Sequence, residues 1–414
     1  MIKKLRSNKL LSNFLNLSFL QLLTLFIPLL TYPYLIRVLG KSTYGSIIFA
    51  QVIVAYAIIF IDFGFNLFAT SEVSKNKNSK EKIEEIFINV ISIKILCFIL
   101  VLFTFFMLTW FFEFDTLLYL LSLGVLIYDV FFPLWYFQGV EKMSYITILV
   151  IPFRLLSLVS ILIFVKEESD YLYVPLIYGI SALMISISSI YVIIKHEKIK
   201  INTKHLIKIK EYFKNASYIF ISNFVISLYL TSNKFIVGIF FGKVNLAYYD
   251  LAEKIVGVLK VFQSIISQTI FPKINRDQNI VFIKKMLKIS LFINILLSLI
   301  VYLNSSLIIS VLGGSEMLNS STILNILLLT VPIVGLSNFF GIQMLIPFGY
   351  KKDFSKIVSF SAIIYCFIIL FLIFFNIMTI INISICLVLV EFIVAVVMFY
   401  QTKKNKIWKK NMII

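Results

Sequence analysis

Twelve apolar stretches divide this 414-residue chain, running roughly over 12–36, 43–70, 86–111, 116–138, 143–165, 171–194, 214–239, 246–270, 286–312, 321–347, 354–376 and 378–400. Each reaches the ~20 residues that a helix needs to cross ~30 Å of hydrocarbon. Lipid offers no water to satisfy peptide groups, so the stretches must be helical, and they are too long for the alternating strands of a barrel. Composition agrees: 60% apolar residues, 14% charged residues and 42 Phe are more apolar surface than one soluble core can hide. The expectation is an all-α integral membrane protein with about 12 transmembrane helices.

Charge sets an expected orientation. Of 38 Lys and Arg, 29 fall at the termini and in alternate gaps, and only four fall in the intervening gaps. The basic groups are Lys3, Lys4, Arg6 and Lys9; Lys75 to Lys82; Lys195 to Lys214; 273–288; Lys351, Lys352 and Lys356; and Lys403 to Lys410. Short loops rich in Lys and Arg stay cytoplasmic, so both termini are expected in the cytoplasm of a multi-pass protein. The net charge of +18 is then mostly topological. A nucleic-acid partner would need a basic, aromatic-interleaved soluble domain, and the chain offers none.

The basic start followed by an apolar run also resembles a cleaved signal peptide. Asn13, Asn16, Gln21 and Thr24 interrupt the run and no small-x-small site ends it, so it reads as an uncleaved first helix. Cys97, Cys366 and Cys386 lie in apolar segments without disulfide or metal spacing, and read as core packing. His196 and His205 fall in the basic middle loop. No phosphate-cradling GxxxxGK[ST] and no nucleophile–base pair occurs, so catalytic residues, cofactors and metals are all expected to be none, and the chain is not read as an enzyme. A membrane polymerase or ligase would carry a large outer loop, whereas the outward gaps here are short.

The polar stretch near 195–214 divides the chain into six helices and six: an N-terminal bundle over 1–196, a cytoplasmic basic linker over 197–213 and a C-terminal bundle over 214–414. A shift of 202 positions superposes Gly40, Lys41, Gly45, Ala50 and Gln51 on Gly242, Lys243, Ala247, Ala252 and Glu253. A weaker echo at a shift of 210 pairs Gly139 and Lys142 with Gly349 and Lys352. An even number of helices per half gives both halves one orientation, and two like bundles would enclose a central cleft suited to alternating access.

Function has to be sought in charges at membrane depth, where each costs about 2.5–3.5 kcal/mol on insertion scales. The N-terminal half carries Asp62, Lys94, Asp129 and Arg154. Lys94 is near enough to a helix end to snorkel. Arg154 is too deep for that and follows Pro152, which removes a helical hydrogen bond. In the second half Asn223, Ser227 and Lys234 fall within about 40° of one another on a helix. Asp250, Glu253, Lys254, Gly257, Lys260, Ser264, Ser267 and Gln268 share an arc of about 140°. Glu391 is central in the last stretch. These groups are either ion pairs that lock helices, for example Asp129 with Arg154 or Glu391 with Lys260, or the lining of a wet cavity for an anionic, hydroxyl-rich cargo and a coupled cation. Pro28 and Pro33, with Gln21, Thr24 and Thr31, mark an expected bend in the first helix.

Several segments carry a resemblance. "PLLTYPYLIRVLGKSTYG", "DFGFNLFAT" and "PLWYFQGVEKM" in the first half, and "FISNFVISLY", "YYDLAEKI", "SQTIFPKI" and "GIQMLIPFGYKKDFSKI" in the second, resemble the bacterial O-antigen flippases of the polysaccharide transporter family. That family belongs to the multidrug, oligosaccharidyl-lipid and polysaccharide exporter superfamily. The resemblance implies two six-helix bundles around a central cleft, and a cargo of undecaprenyl-pyrophosphate-linked oligosaccharide moved across the bacterial inner membrane. It also implies coupling to H+ or Na+, contact with membrane lipid, and the polysaccharide polymerase machinery as a protein partner. On this reading Arg154, Lys234, Lys254 and Lys260 contact the headgroup, while Asp62, Asp129, Glu253 and Glu391 pair with them or couple the ion. Asp250 stands where the family more often has a small polar residue, which leaves it without an expected role. A cation-coupled exporter of small molecules on the same architecture is the competing expectation, and an acidic, aromatic cleft would suit it better than deep Lys and Arg.

Overall fold

The computed structural model describes residues 9–111, 115–200, 206 and 208–409; the side chains of 9–22, 24–26, 218, 219, 222, 223, 225, 226, 228–230, 272 and 409 are not described. The side chains of Asn13, Asn16, Gln21, Thr24 and Asn223 therefore lie outside the described set, as do His205, Lys3, Lys4, Arg6 and Lys410 altogether.

The described residues are helical, with no strand among them. Among the described residues, ten helical stretches are long and apolar enough to cross a membrane. One of them, Ile27–Lys75, holds two of the expected crossings, and Ile209–Phe240 is a further 32-residue helix. Every one of the twelve apolar stretches thus falls on a helix or broken helix. Trp110, Phe111, Phe367 and Phe374 are each at least 70% exposed, an outer surface that only lipid can solvate.

The chain forms two compact units, 1–227 and 228–414. In the first, α1 (Lys9–Asp62) is followed by α2 (Phe65–Lys75), α3 (Lys80–Phe111), the broken span α4 (Thr116–Leu123), α5 (Leu126–Phe131) and α6 (Leu134–Gly139), then α7 (Met143–Phe164), α8 (Tyr173–Lys195) and the first turns of α9 (Ile209–Phe240). The second unit holds the end of α9, then α10 (Gly242–Asp277), α11 (Ile280–Leu303), α12 (Ser305–Gly313), α13 (Ser320–Leu327), α14 (Thr330–Asn338), a π-helical turn over Phe339–Leu345, α15 (Lys351–Phe374) and α16 (Ile380–Lys404).

The breaks have local causes. Within α1 the backbone leaves the helical region at Gly40 (φ 70°, ψ 165°), while Pro28 and Pro33 stay in helical backbone. Gly40 and Gly242, which the 202-residue shift superposes, both have positive φ, 70° and 81°. Positive φ of this kind strains a residue with a Cβ by about 1–3 kcal/mol, so a glycine turns the chain at matching points of both units. The weaker echo does not share this basis: Gly349 has φ 93°, whereas Gly139 is helical and lets α6 approach α2, its missing Cβ lying 2.6 Å from Val73. A second break, at Phe63 and Gly64 (φ 45° and 77°), separates α1 from α2, and Asp62 Oδ1 accepts across it from the Asn66 amide at 3.3 Å. Between α5 and α6, Phe132 is driven to an extended conformation by the ring of Pro133.

Aromatic packing closes the first unit. Phe63 stacks on Phe213 and Phe220 of α9 at centroid distances of 4.4 and 4.5 Å, and Trp135 lies buried against Phe87. Glu85 of α3, paired with Lys82 one turn away on the same helix (2.7 Å), ties in the start of α9 through Lys208 (3.2 Å) and the Tyr212 hydroxyl (3.1 Å). In the second unit Phe339, Phe340, Met344 and Leu345 of the π-helical turn pack on Val394, Met398 and Trp408.

Candidate functional site

The structure places the deep charges in three groups. Arg154 of α7 lies on the wall of a cavity of about 300 Å³ inside the first unit. Its lining is aliphatic residues with Tyr32, Gln51, Ser122, Tyr128, Ser157, Tyr178 and Ser181, drawn from α1, α4, α5, α7 and α8. Among the described residues no carboxylate is in ion-pair contact with the guanidinium; the suggested Arg154–Asp129 pair is not closed, and the two interact over a longer range. The Ser157 hydroxyl donates to the Arg154 carbonyl at 2.8 Å, which helps the backbone just after Pro152. A permanently charged, five-donor group facing hydroxyls and aromatic rings can hold a phosphate or carboxylate in bidentate fashion.

The second group lies where helices are interrupted. Lys94 of α3 does not snorkel: its side chain is only 2% exposed, and its Nζ lies 3.3 Å from Asp62 Oδ1. It also donates to the Asp129 carbonyl at 3.1 Å. Asp62 is the last residue of α1 and Asp129 lies in the last turn of α5, so one ammonium caps the C-terminal ends of two broken helices, where the backbone dipoles favour a cation. Asp62 is thus the partner of Lys94. The Asp129 carboxylate forms no ion pair among the described residues.

The third group is in the second unit. Lys234 Nζ, near the end of α9, lies 3.1 Å from Asp250 Oδ1 and 2.6 Å from Glu253 Oε2 of α10. Lys254 pairs with Asp250 one turn away. Asp250 is the hub of these contacts and only 1% exposed, although its departure from the family pattern left it without a role at the level of sequence. Beside the network, Asn233 donates to the Tyr249 hydroxyl at 2.9 Å and accepts from the Tyr365 hydroxyl at 2.5 Å. Lys260 and Glu391 are not joined in an ion pair; they interact over a longer range.

The polar arc of α10 therefore divides. Its first part is ionic, through Asp250, Glu253 and Lys254. In its later part Gln343 of the π-helical turn donates to the Ser267 carbonyl and hydroxyl at 2.9 and 2.7 Å, and beside the arc Gln263 accepts from Ser290 (2.5 Å) and Asn294 (3.0 Å) of α11. Ser264 accepts from Gln268 at 2.9 Å. Cys386 is buried and Cys97 half-buried, as core packing requires, but Cys366 is exposed. Among the described residues no group of three or more His, Cys, Asp or Glu is placed to hold a metal ion.

Residues 10–278 match the family described as Polysaccharide biosynthesis protein. The chain belongs to that family. The chain is 30% identical over 239 residues to a protein of Escherichia coli (strain K12) named "Putative O-antigen transporter", a match covering 56% of this chain and 58% of the relative. It is 25% identical over 238 residues to a protein of the same name from Shigella dysenteriae, covering 56% and 60%. The family member thus spans about three fifths of the curated relatives it matches. Its fold is similar to that of the lipid II flippase MurJ in an inward closed conformation, with a TM-score of 0.75 at 16% identity over 97% of this chain and 89% of that one. It is similarly close to an inward-facing multidrug resistance MATE transporter of the MOP superfamily, with a TM-score of 0.72 at 12% identity over 93% and 96%. Family and fold agree with the resemblance carried by the segments around Gly40, Asp62 and Gly139.

Proposed function

We propose that this protein translocates undecaprenyl-pyrophosphate-linked oligosaccharide, the repeat unit of O-antigen or capsule, across the bacterial inner membrane by alternating access. The observation that carries the reading is Arg154, a guanidinium at membrane depth on a cavity wall lined by hydroxyls and aromatic rings, with no carboxylate in ion-pair contact among the described residues. A sugar–pyrophosphate headgroup cannot enter ~30 Å of hydrocarbon alone, because its charges and unpaired hydroxyls each cost several kcal/mol there. Arg154, Lys234, Lys254 and Lys260 replace its water, while the prenyl tail stays in lipid. Asp129, Glu253 and Glu391 are the groups proposed to couple an H+ or Na+ gradient, with Asp62 as the partner of Lys94. Both termini face the cytoplasm on this reading, and the polymerase machinery receives the flipped unit.

The fold alone does not separate this function from small-molecule export, since MurJ and MATE structures are similar to the chain to nearly the same degree. The deep cations favour an anionic cargo. In cells depleted of the protein, an outer-face probe for lipid-linked oligosaccharide should show cargo retained on the cytoplasmic leaflet, relieved by the wild type and not by a double Arg154→Gln, Lys260→Gln variant. Unchanged leaflet distribution, in a strain without a second flippase, would point to the exporter.

A further inference from the structure

Two of the four cations expected to meet the cargo are already occupied. Lys234 and Lys254 hold two carboxylates between them, with Lys234 on both Asp250 and Glu253 and Lys254 on Asp250. The charges cancel, two against two. Counting from the start of α10 at Gly242, the acids lie about 12–17 Å along the helix, well inside the span. Removing either carboxylate's partner there is costly, because an unmatched buried charge loses several kcal/mol. Any ligand that takes the two ammonium groups must therefore bring two negative charges of its own.

A prenyl diphosphate esterified to a sugar has this property. It is a diester of pyrophosphate, with one negative charge on each of two adjacent phosphates. A glycerophospholipid such as phosphatidylglycerol has one. We propose that Asp250 and Glu253 are resident stand-ins for the two phosphates of a prenyl diphosphate diester, and that the site exchanges two carboxylates for two phosphates. This inference rests on the proposed function and deepens it. Exchange conserves charge for the diphosphate. For a singly charged phospholipid it leaves one ammonium or one carboxylate unmatched, so singly charged lipids such as phosphatidylglycerol are rejected by charge count rather than by shape.

Exposure fits exchange. Glu253, Lys234 and Lys254 are partly exposed, whereas Asp250 is enclosed, so the outer carboxylate yields first and the inner one follows. The neighbouring Asn233–Tyr249–Tyr365 hydrogen bonds hold the residues adjacent to Lys234 and Asp250 while the carboxylates move. Neutralising an acid in this network has the opposite sign from neutralising a structural ion pair. It leaves a surplus ammonium, and a singly charged lipid can then bind.

The test uses the full chain in nanodiscs containing prenyl-diphosphate-linked N-acetylglucosamine and phosphatidylglycerol, with occupancy of each lipid read by native mass spectrometry. Wild type should prefer the diphosphate. Glu253→Gln should lower the ratio of diphosphate to phosphatidylglycerol on the order of tenfold, mainly by raising phosphatidylglycerol, and Asp250→Asn should lower it further. Lys254→Gln should lose the diphosphate. If Asp250→Asn does not fold, the partly exposed Glu253 decides alone. A wild-type preference that survives both acid substitutions, or parallel loss of both lipids, overturns this inference only. No preference in the wild type overturns the proposed function with it.

Discussion

Lys94 Nζ sits 3.3 Å from Asp62 Oδ1 with its side chain almost wholly buried, and so joins the end of α1 to the end of α5. Removing one partner strands the other. Lys94→Met should cost about 3–5 kcal/mol of stability, and adding Asp62→Asn should recover much of that loss. Thermal unfolding of the purified single and double variants measures both; equal loss in the two would show that the pair is not what holds the breaks.

Arg154 is expected to act on cargo more than on the fold, because among the described residues no carboxylate lies in ion-pair contact with it and Asp129 feels it only at longer range. Arg154→Gln should leave the unfolding temperature within a few degrees of wild type and reduce flipping at least about tenfold. Arg154→Lys should recover only part of the rate, since a point charge does not reproduce the bidentate fork.

Gly139 permits the approach of α6 to α2, where an added Cβ would lie 2.6 Å from Val73 Cγ1. Gly139→Ala should destabilise by about 1–3 kcal/mol through overpacking. Combining it with Val73→Ala should recover only part of the loss in a melting experiment, because the Val73 Cβ itself lies 2.7 Å from the added atom. Gly40→Ala meets nothing within 4 Å, so its cost of about 1–3 kcal/mol is backbone strain alone and no neighbouring substitution should relieve it.

Gln263 accepts from both Ser290 and Asn294 in a buried setting. Gln263→Leu should cost about 1–3 kcal/mol, because two buried donors lose their acceptor at once. If stability is unchanged, these buried hydrogen bonds are not what holds α10 against α11.

Helix number and length were legible in the sequence because the apolar stretches and the bilayer have matched dimensions. The turns at Gly40 and Gly242 were visible too, through a repeat whose physical basis is positive φ. Partner choice was not. A helical wheel puts Asp250, Glu253 and Lys254 on one arc but says nothing of which neighbour meets them, so Lys234 looked like a free cation and Asp250 like an anomaly. Lys94 was misjudged for a related reason: its distance from a helix end suggested an escape to water, while the breaks at Gly64 and Pro133 bring two helix ends to it instead. Those breaks are written in "DFGFN" and "FFPLW", where Gly follows an Asp and Pro follows two Phe, and a reading for helix ends inside spans would have found them.

The most direct measurement is flipping by the purified protein. In proteoliposomes loaded with fluorescent undecaprenyl-pyrophosphate-linked oligosaccharide, an impermeant quencher reports how much headgroup reaches the opposite leaflet. Wild type should equilibrate the two leaflets far faster than protein-free vesicles, and an Arg154→Gln, Lys254→Gln variant of equal fold should be close to the protein-free rate. Flipping by that variant at the wild-type rate would contradict the role of the cations, and no flipping by wild type would contradict the function itself.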